Sequence, residues 1–202
     1  MILAFDTSSE ACTAALFEPG GKLIARSDER ISRGHAERLV PMIAELIGEV
    51  RPNQLLVGTG PGSFTGIRVA VAAAHGLAIG WDCELHGFSS LALLAASVEP
   101  DGDVAVAALG GHGQLFVQQF GPGLDPRDAV QSLIPEDAAR AVDADRVAGS
   151  GAAQLVAARG FGEAIEAWPE AARVLDLPET LRTLAPRPVY VRAPDAKAKA
   201  AA

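Results

Sequence analysis

The run Leu55-Leu56-Val57-Gly58-Thr59-Gly60-Pro61-Gly62-Ser63-Phe64-Thr65-Gly66 feeds a mostly apolar stretch, Ile67 to Ile79, and restricts the fold more than any other segment. A short continuous apolar run reads as a strand covered on both faces. The glycine-rich turn after it delivers the chain into a helix of about Thr65 to Gly80, the order expected of an α/β fold. Glycines in such a turn let the backbone approach another body closely and point N–H groups outward. The phosphate-loop templates fail here. Thr65 stands five residues after Gly60, where a Walker loop needs glycine, and no lysine follows. Dinucleotide spacing fails as well, because Gly60 and Gly62 are followed by Thr65 and only then by Gly66. Pro61, two residues before Ser63, excludes a nucleophile elbow. The plainer alternative is a tight turn ahead of a buried helix.

Two helices near the amino end carry a pattern of their own. In the first, about His35 to Val50, Leu39, Val40, Met42, Ile43, Leu46, Ile47 and Val50 fall within roughly 160° of a helical wheel and form the expected core face. The opposite face holds Glu37, Pro41, Ala44 and Gly48, small enough to let a second helix approach. Pro41 removes one hydrogen bond and is expected to bend the helix. In the second helix only Arg68 and His75 interrupt an apolar surface, seven residues apart on one face, with Ala72 between them. A helix without a polar face must be covered on every side. Either it lies wholly inside this chain, or part of the pair lies in a subunit interface.

At 202 residues the chain fits one larger domain or two small lobes, and can bury roughly 70% of its unfolded surface. Hydrophobic residues make up 49% and aromatics 5%, so Ala, Val, Leu and Gly must fill the core. The net charge of −8, without a cationic block, repels nucleic acid unless a partner supplies the positive face. Cys12 and Cys83 have no metal or redox spacing and read as inert thiols. Without a leader or 18 uninterrupted apolar residues, the expectation is a cytoplasmic protein that does not engage a membrane.

Three strands are expected within residues 1–30, the third at an edge, and short strands at Leu55–Gly58 and Glu84–Gly87. Ser89 should cap a helix through Ala96. A composition break at residues 99–103 divides the chain into an N-terminal α/β lobe (1–98), a reduced second lobe (99–187) and a returning segment with its tail (188–202), of which Ala196 to Ala202 should be disordered. The second lobe should hold strands at Val104–Leu109, Gln114–Phe120 and Arg146–Ala148, with helices at Glu136–Ala141 and Ala152–Arg159. No internal repeat is visible.

Chemistry is sparse. Asp6 ends the first strand and is followed by Thr7, Ser8 and Ser9; it reads either as a carboxylate that positions a metal or water, or as an Asx-type turn cap. His35, His75, His86 and His112 are scattered, and Leu39 stands one helical turn beyond His35, which excludes a paired metal site on that helix. No catalytic or metal constellation emerges.

Ser32-Arg33-Gly34-His35-Ala36-Glu37-Arg38-Leu39-Val40-Pro41-Met42-Ile43, joined to Gly60–Arg68, resembles the bacterial TsaB (YeaZ) family. Ile2–Cys12, Gly87–Leu91 and Tyr190-Val191-Arg192 with Pro194-Asp195-Ala196 match other parts of its pattern, closely over residues 1–95 and weakly beyond. The resemblance implies an actin/Hsp70/sugar-kinase-like (ASKHA) fold of two α/β lobes, the second reduced. It implies a non-catalytic scaffold in making threonylcarbamoyladenosine beside the tRNA anticodon. The catalytic, metal-containing paralogue TsaD is the implied partner, TsaE the implied ATPase, and tRNA is met only through the complex. The chain is expected to homodimerise alone and to exchange that contact for TsaD, using His35, Glu37, Arg38, Pro41, Ala44, Gly48, Phe64, Arg68, Ala72 and His75. Asp6, Thr7 and Ser8 would form a vestigial phosphate loop beside the Gly60–Gly66 turn. No cofactor is expected to bind tightly, with ATP or ADP a candidate at the TsaD interface. One departure stands out: Leu109–Phe116 replaces the family's Asp-Ala-Arg-type turn before Glu-Val-Tyr. Two other activities compete with the scaffold, a sugar-kinase-like ATPase or phosphotransferase working through Asp6, and a peptidase, which the missing histidine pair disfavours.

Overall fold

Two five-stranded sheets with one shared strand order organise the described residues. The computed structural model describes residues 1–98 and 102–191. The first sheet contains β1 (Ile2–Asp6), β2 (Ala11–Phe17), β3 (Leu23–Arg30), β4 (Gln54–Gly58) and β5 (Glu84–Phe88) in the order β3-β2-β1-β4-β5. β1 runs antiparallel to β2 and parallel to β4. Helix α1 (His35–Ile47) connects β3 to β4, and α2 (Phe64–Trp81) connects β4 to β5. After α3 (Ser90–Ala96) the second sheet repeats the plan with β6 (Val104–Leu109), β7 (Leu115–Phe120), β8 (Gln131–Leu133), α4 (Pro135–Ala141), β9 (Arg146–Ala148), α5 (Ala152–Arg159) and β10 (Glu163–Ile165). Its order β10-β9-β6-β7-β8 is the first sheet's order read from the other edge, with the same mix of antiparallel and parallel pairs. The duplication lies in topology rather than in sequence, so no repeat shows in the chain itself.

The continuous apolar run of β1 is buried on both faces, and β3, the polar edge strand, alternates exposed and half-buried residues. Between the sheets lies α3, capped by the Ser89 hydroxyl, which accepts from the Ala92 amide at 3.2 Å. All seven of its residues are buried. Leu91 and Leu94 share one cluster with Phe17 and Phe88 of the first sheet and Val106 and Phe116 of the second. Burial of this continuous apolar surface stabilises the junction of the two halves. On the other face of the first sheet, Leu39, Met42, Ile43 and Ile47 of α1 pack with Ile67, Ala70, Val71 and Ala74 of α2. Cys12 lies in that layer, 3.8 Å from the Met42 sulfur, and burial pushes its thiol up to about 11. Cys83 is half-buried and also raised, chiefly by burial.

The chain returns to the first sheet well before residue 188. Arg30 stacks 3.4 Å over the Trp168 ring, the Glu170 amide donates to Ser97 Oγ at 2.9 Å, and the Ala171 amide donates to Thr13 Oγ1 at 2.8 Å. A tight helical turn (Ala171–Asp176) and α6 (Glu179–Arg182) follow, and Leu184 then exchanges two backbone bonds with Gly87 at the β5 edge. Gly87 permits this approach, since a Cβ there would meet the Ala185 carbonyl at 2.8 Å. The expected lobe division at residue 99 and the expected tail at 196–202 lie outside the described residues.

By length and composition alone α2 is long and apolar enough to span a membrane, with mean hydropathy 1.2, and 28% of it is buried. Short loops tie it to β4 and β5, which are paired in parallel along five residues each. Its place is that of a crossover helix between adjacent strands, packed against the sheet and α1 on its inner side. The reading that puts it wholly inside the chain is therefore overturned: Ala72, Gly76 and Ile79 are exposed.

Candidate docking surface

The body that the glycine-rich turn approaches is the chain's own β1–β2 turn. A Cβ on Gly62 would sit 2.1 Å from the Ser8 carbonyl oxygen, one on Gly66 1.9 Å from that of Thr7, and one on Gly58 1.8 Å from Asp6 Oδ2. The Ser63 amide donates to Ser8 O at 2.6 Å, and Thr7 Oγ1 donates to Gly66 O at 2.7 Å. Gly60 N donates to Ser90 Oγ, and Gly66 N to the N-capping Ser63 Oγ. The amides of Gly60, Ser63 and Gly66 are thus satisfied internally, in a turn that clamps β1 to α2 and α3.

Asp6 lies under this turn, fully buried. The Ser8 amide donates to Oδ1 at 2.6 Å, an Asx-type cap, and the Ser90 hydroxyl donates to Oδ2 at 2.5 Å. Burial raises its pKa above the ordinary 3.8, against the opposing pull of the Ser8 and Ser90 hydrogen bonds. An acid raised in the folded state favours folding below its ordinary pKa and loses that contribution as pH rises through the raised value. Asp6→Asn keeps a carbonyl for the Ser8 amide and is expected to flatten the pH dependence of urea stability above 3.8. Asp6→Ala strands two buried donors and should cost about 2–4 kcal/mol.

On α1 the face opposite the core is exposed as expected: Glu37, Pro41, Ala44 and Gly48 are all solvent-accessible. The helix runs through Pro41 to Ile47; the amide of Gly48, its C-cap, bonds Ala44 O at 3.0 Å, and the φ of 54° at Gly48 turns the chain out of the helix. Val40, expected in the core, is 51% exposed and borders the small-residue face. Its side of the wheel is already past the Leu39–Met42–Ile43 stripe. His35 lies one turn before Leu39, so it faces inward, and its Nε2 is buried without a hydrogen-bond partner among the described residues. Arg38 is committed within the chain. It forks across Glu29 of β3 at 2.5–3.1 Å and Glu45 of α1 at 2.9–3.0 Å, and holds both carboxylates below their usual range.

On α2 the exposed side divides in two. Ala72, Gly76 and Ile79, the last 83% exposed, form an open ridge. Sequence reasoning missed Gly76 and Ile79, although Ile79 lies two turns from Ala72 on one face, the signal that would have found it. Phe64, Arg68 and His75 lie on the flank touched by the returning segment. His75 Nε2 lies 2.9 Å from the Pro186 carbonyl, and Arg68 Nε donates to the Tyr190 hydroxyl at 2.9 Å. The Val189 amide donates to Thr59 O at 2.9 Å, which holds that segment as a strap beside α2.

A cleft of about 1040 Å³ opens between the two halves, lined by Ser8, Arg33, His35, Gly62, Phe116 and Trp168 among others. The divergent Leu109–Phe116 hairpin contributes Leu109, Gly110 and Phe116 to its lining, together with Glu37 of α1 and Phe64 of α2, and places His112 at φ 62°. Among the described residues no group of three or more His, Cys, Asp or Glu could hold a metal ion.

The family model for TsaD, tRNA N6-adenosine threonylcarbamoyltransferase, matches residues 27–130, which include α1, α2 and α3. The chain is 41% identical over 99 residues to the tRNA threonylcarbamoyladenosine biosynthesis protein TsaB of Haemophilus influenzae, across 46% of this chain and 41% of that relative. The match therefore spans less than half of the curated relative's length. A crystal structure from Pseudomonas aeruginosa, of an uncharacterized protein with similarity to peptidase YeaZ, superposes with TM-score 0.77 at 29% identity, over 95% of this chain and 99% of that one. Ethanolamine utilization protein EutJ of Carboxydothermus hydrogenoformans shares the fold alone, with TM-score 0.51 at 14% identity over 87% and 88% of the two chains. The doubled sheet plan is that of the actin/Hsp70/sugar-kinase-like fold. Taken with the matching Gly60–Arg68 turn and the helix pair, these likenesses place the chain in the TsaB (YeaZ) family of TsaD-like proteins.

Proposed function

We propose that this chain is a non-catalytic scaffold of the assembly that makes threonylcarbamoyladenosine on tRNA, and that it docks a TsaD chain through the outer faces of α1 and α2. The observation that carries this reading is the open apolar surface of that pair. Val40 and Ile79 are 51% and 83% exposed beside Pro41, Ala44, Gly48, Ala72 and Gly76. Exposed apolar side chains among small residues are the composition of a docking face, and small residues let a facing helix come close. The TsaB name of the Haemophilus relative supports the pathway. TsaD, by its family description the transferase, shares the 27–130 segment that includes both helices, which favours pairing of like with like about a local twofold. On this reading the chain forms a homodimer alone, TsaD replaces one copy, and TsaE acts on the assembly as its ATPase. The partner supplies the tRNA-binding face that a net charge of −8 does not, ATP or ADP sits at the TsaD junction, and the complex works in the cytoplasm.

Light scattering tests this directly: a dimer is expected for the chain alone and a mixed complex on adding TsaD. A monomer that ignores TsaD and modifies tRNA unaided would overturn the proposal. The cleft gives a second reading, a nucleotide-dependent phosphotransferase, some footing. Against it, both Asp6 oxygens and the Gly60, Ser63 and Gly66 amides already have partners within the chain. Micromolar Mg-ATP binding to the isolated chain in calorimetry would favour that reading instead.

A further inference from the structure

Phe64, Arg68 and Tyr190 form a compact cluster at the edge of the open α2 ridge. The Arg68 guanidinium lies 3.5 Å over the Phe64 ring and 5.7 Å from the Tyr190 ring. The two rings meet at 5.1 Å with a 40° tilt, and the Arg68 Nε–Tyr190 hydroxyl bond closes the triangle. Phe64 is nevertheless 49% exposed and Tyr190 44%. Two half-exposed aromatic rings held in a fixed arrangement around an arginine have the composition of an interface hot spot, and their pre-ordering lowers the entropy lost on binding. Among the described residues no carboxylate pairs with Arg68, whereas Arg38 on the neighbouring helix has two. Nε is spent on Tyr190, which leaves the outer N–H groups of the guanidinium, its plane set by ring stacking, to donate to a planar carboxylate.

We infer that this cluster anchors the docking partner and that Arg68 receives an aspartate or glutamate carboxylate from it. The inference rests on the docking role proposed for α1 and α2, and extends it to the strap, a segment outside residues 27–130. Tyr190 acts as a positioning residue: its hydroxyl sets the guanidinium plane, and the Val189–Thr59 bond fixes where that hydroxyl stands.

Tyr190 is the single tyrosine of the chain, so 3-fluorotyrosine labelling yields one reporter resonance. The expected result is a clear shift of that resonance on adding TsaD. Arg68→Gln should weaken TsaD binding about tenfold or more and reduce its salt dependence, with an unchanged melting temperature. Tyr190→Phe, which keeps the ring and loses the bond, should weaken it by a smaller factor of about three. An unmoved resonance in a complex that forms, or an Arg68→Gln chain that binds as tightly as the parent, overturns the anchor. Ala72→Arg separates the two ideas: if it abolishes the complex while Arg68→Gln does not weaken it, the helix face stands and the anchor falls. If the parent chain does not bind TsaD at all, both fall.

Discussion

Ala44→Arg and Ala72→Arg are each expected to lower affinity for TsaD at least about a hundredfold in calorimetry, with the melting temperature nearly unchanged. Both positions are exposed in the isolated chain, one on each helix of the pair. Surface substitutions away from packed contacts usually change stability by about 0.5 kcal/mol or less, and arginine is a good helix former. Across an interface the same side chain must fit where a methyl group lets two helices approach, and it brings a charge that must shed its water. The monomer should therefore stay folded while the complex fails. Gly48→Arg is a poorer probe of the same face, because φ at Gly48 is 54° and a side chain there strains the helix end as well. Undiminished affinity in both alanine variants would remove α1 and α2 from the docking surface. Binding lost together with a collapsed melting temperature would point to misfolding, and the smaller Ala72→Ser change should then bind nearly as the parent does.

Gly66→Ala and Gly76→Ala, ten residues apart on one helix, are expected to move stability in opposite directions. At Gly66 a Cβ would stand 1.9 Å from the Thr7 carbonyl oxygen, a backbone atom of a buried turn. That turn would have to retreat about 1 Å, and the Thr7 Oγ1–Gly66 O bond would be disturbed with it. Overpacking costs about 1–3 kcal/mol and a net hydrogen bond about 1, so a loss of about 2–4 kcal/mol is expected. For a chain of this size that is a fall of about 10 °C in melting temperature. At Gly76 nothing among the described residues lies within 4 Å of the added Cβ. Alanine there removes the conformational penalty of glycine in a helix and should stabilise the isolated chain by about 0.5–1 kcal/mol. Equal and small effects at both sites in thermal melts would mean that the glycine-rich turn does not press on the β1–β2 turn.

Much of the first half was legible because its signals are local. β1 is a continuous apolar run, Ser89 announces α3, and the Leu39–Ile43–Ile47 stripe orients α1, so these elements and the exposed Ala44–Gly48 face follow from periodicity and capping. Val40 was misplaced because a stripe about 160° wide has ambiguous borders, and only the neighbouring elements decide which border is covered. In the second half β8, β9 and β10 have three residues each, too few to show an alternating pattern. The sequence nonetheless predicts β9, whereas β8, β10, the helical turn at Ala171–Asp176 and α6 are not among its expectations.

The chain's linear order alone determined the α/β character, the greasy second helix, the small-residue face of the first, and the motifs of the TsaB (YeaZ) family. Tertiary structure decided what each surface meets. Gly62 and Gly66 proved to face Ser8 and Thr7 of the same chain, Arg38 turned to Glu29 and Glu45, and the strap closed over Arg68 and His75. The reason is physical: a helix or turn is specified by neighbours within a few residues, whereas these contacts join groups up to 122 residues apart. Several run through backbone carbonyls and amides, which every residue carries and no sequence pattern can mark.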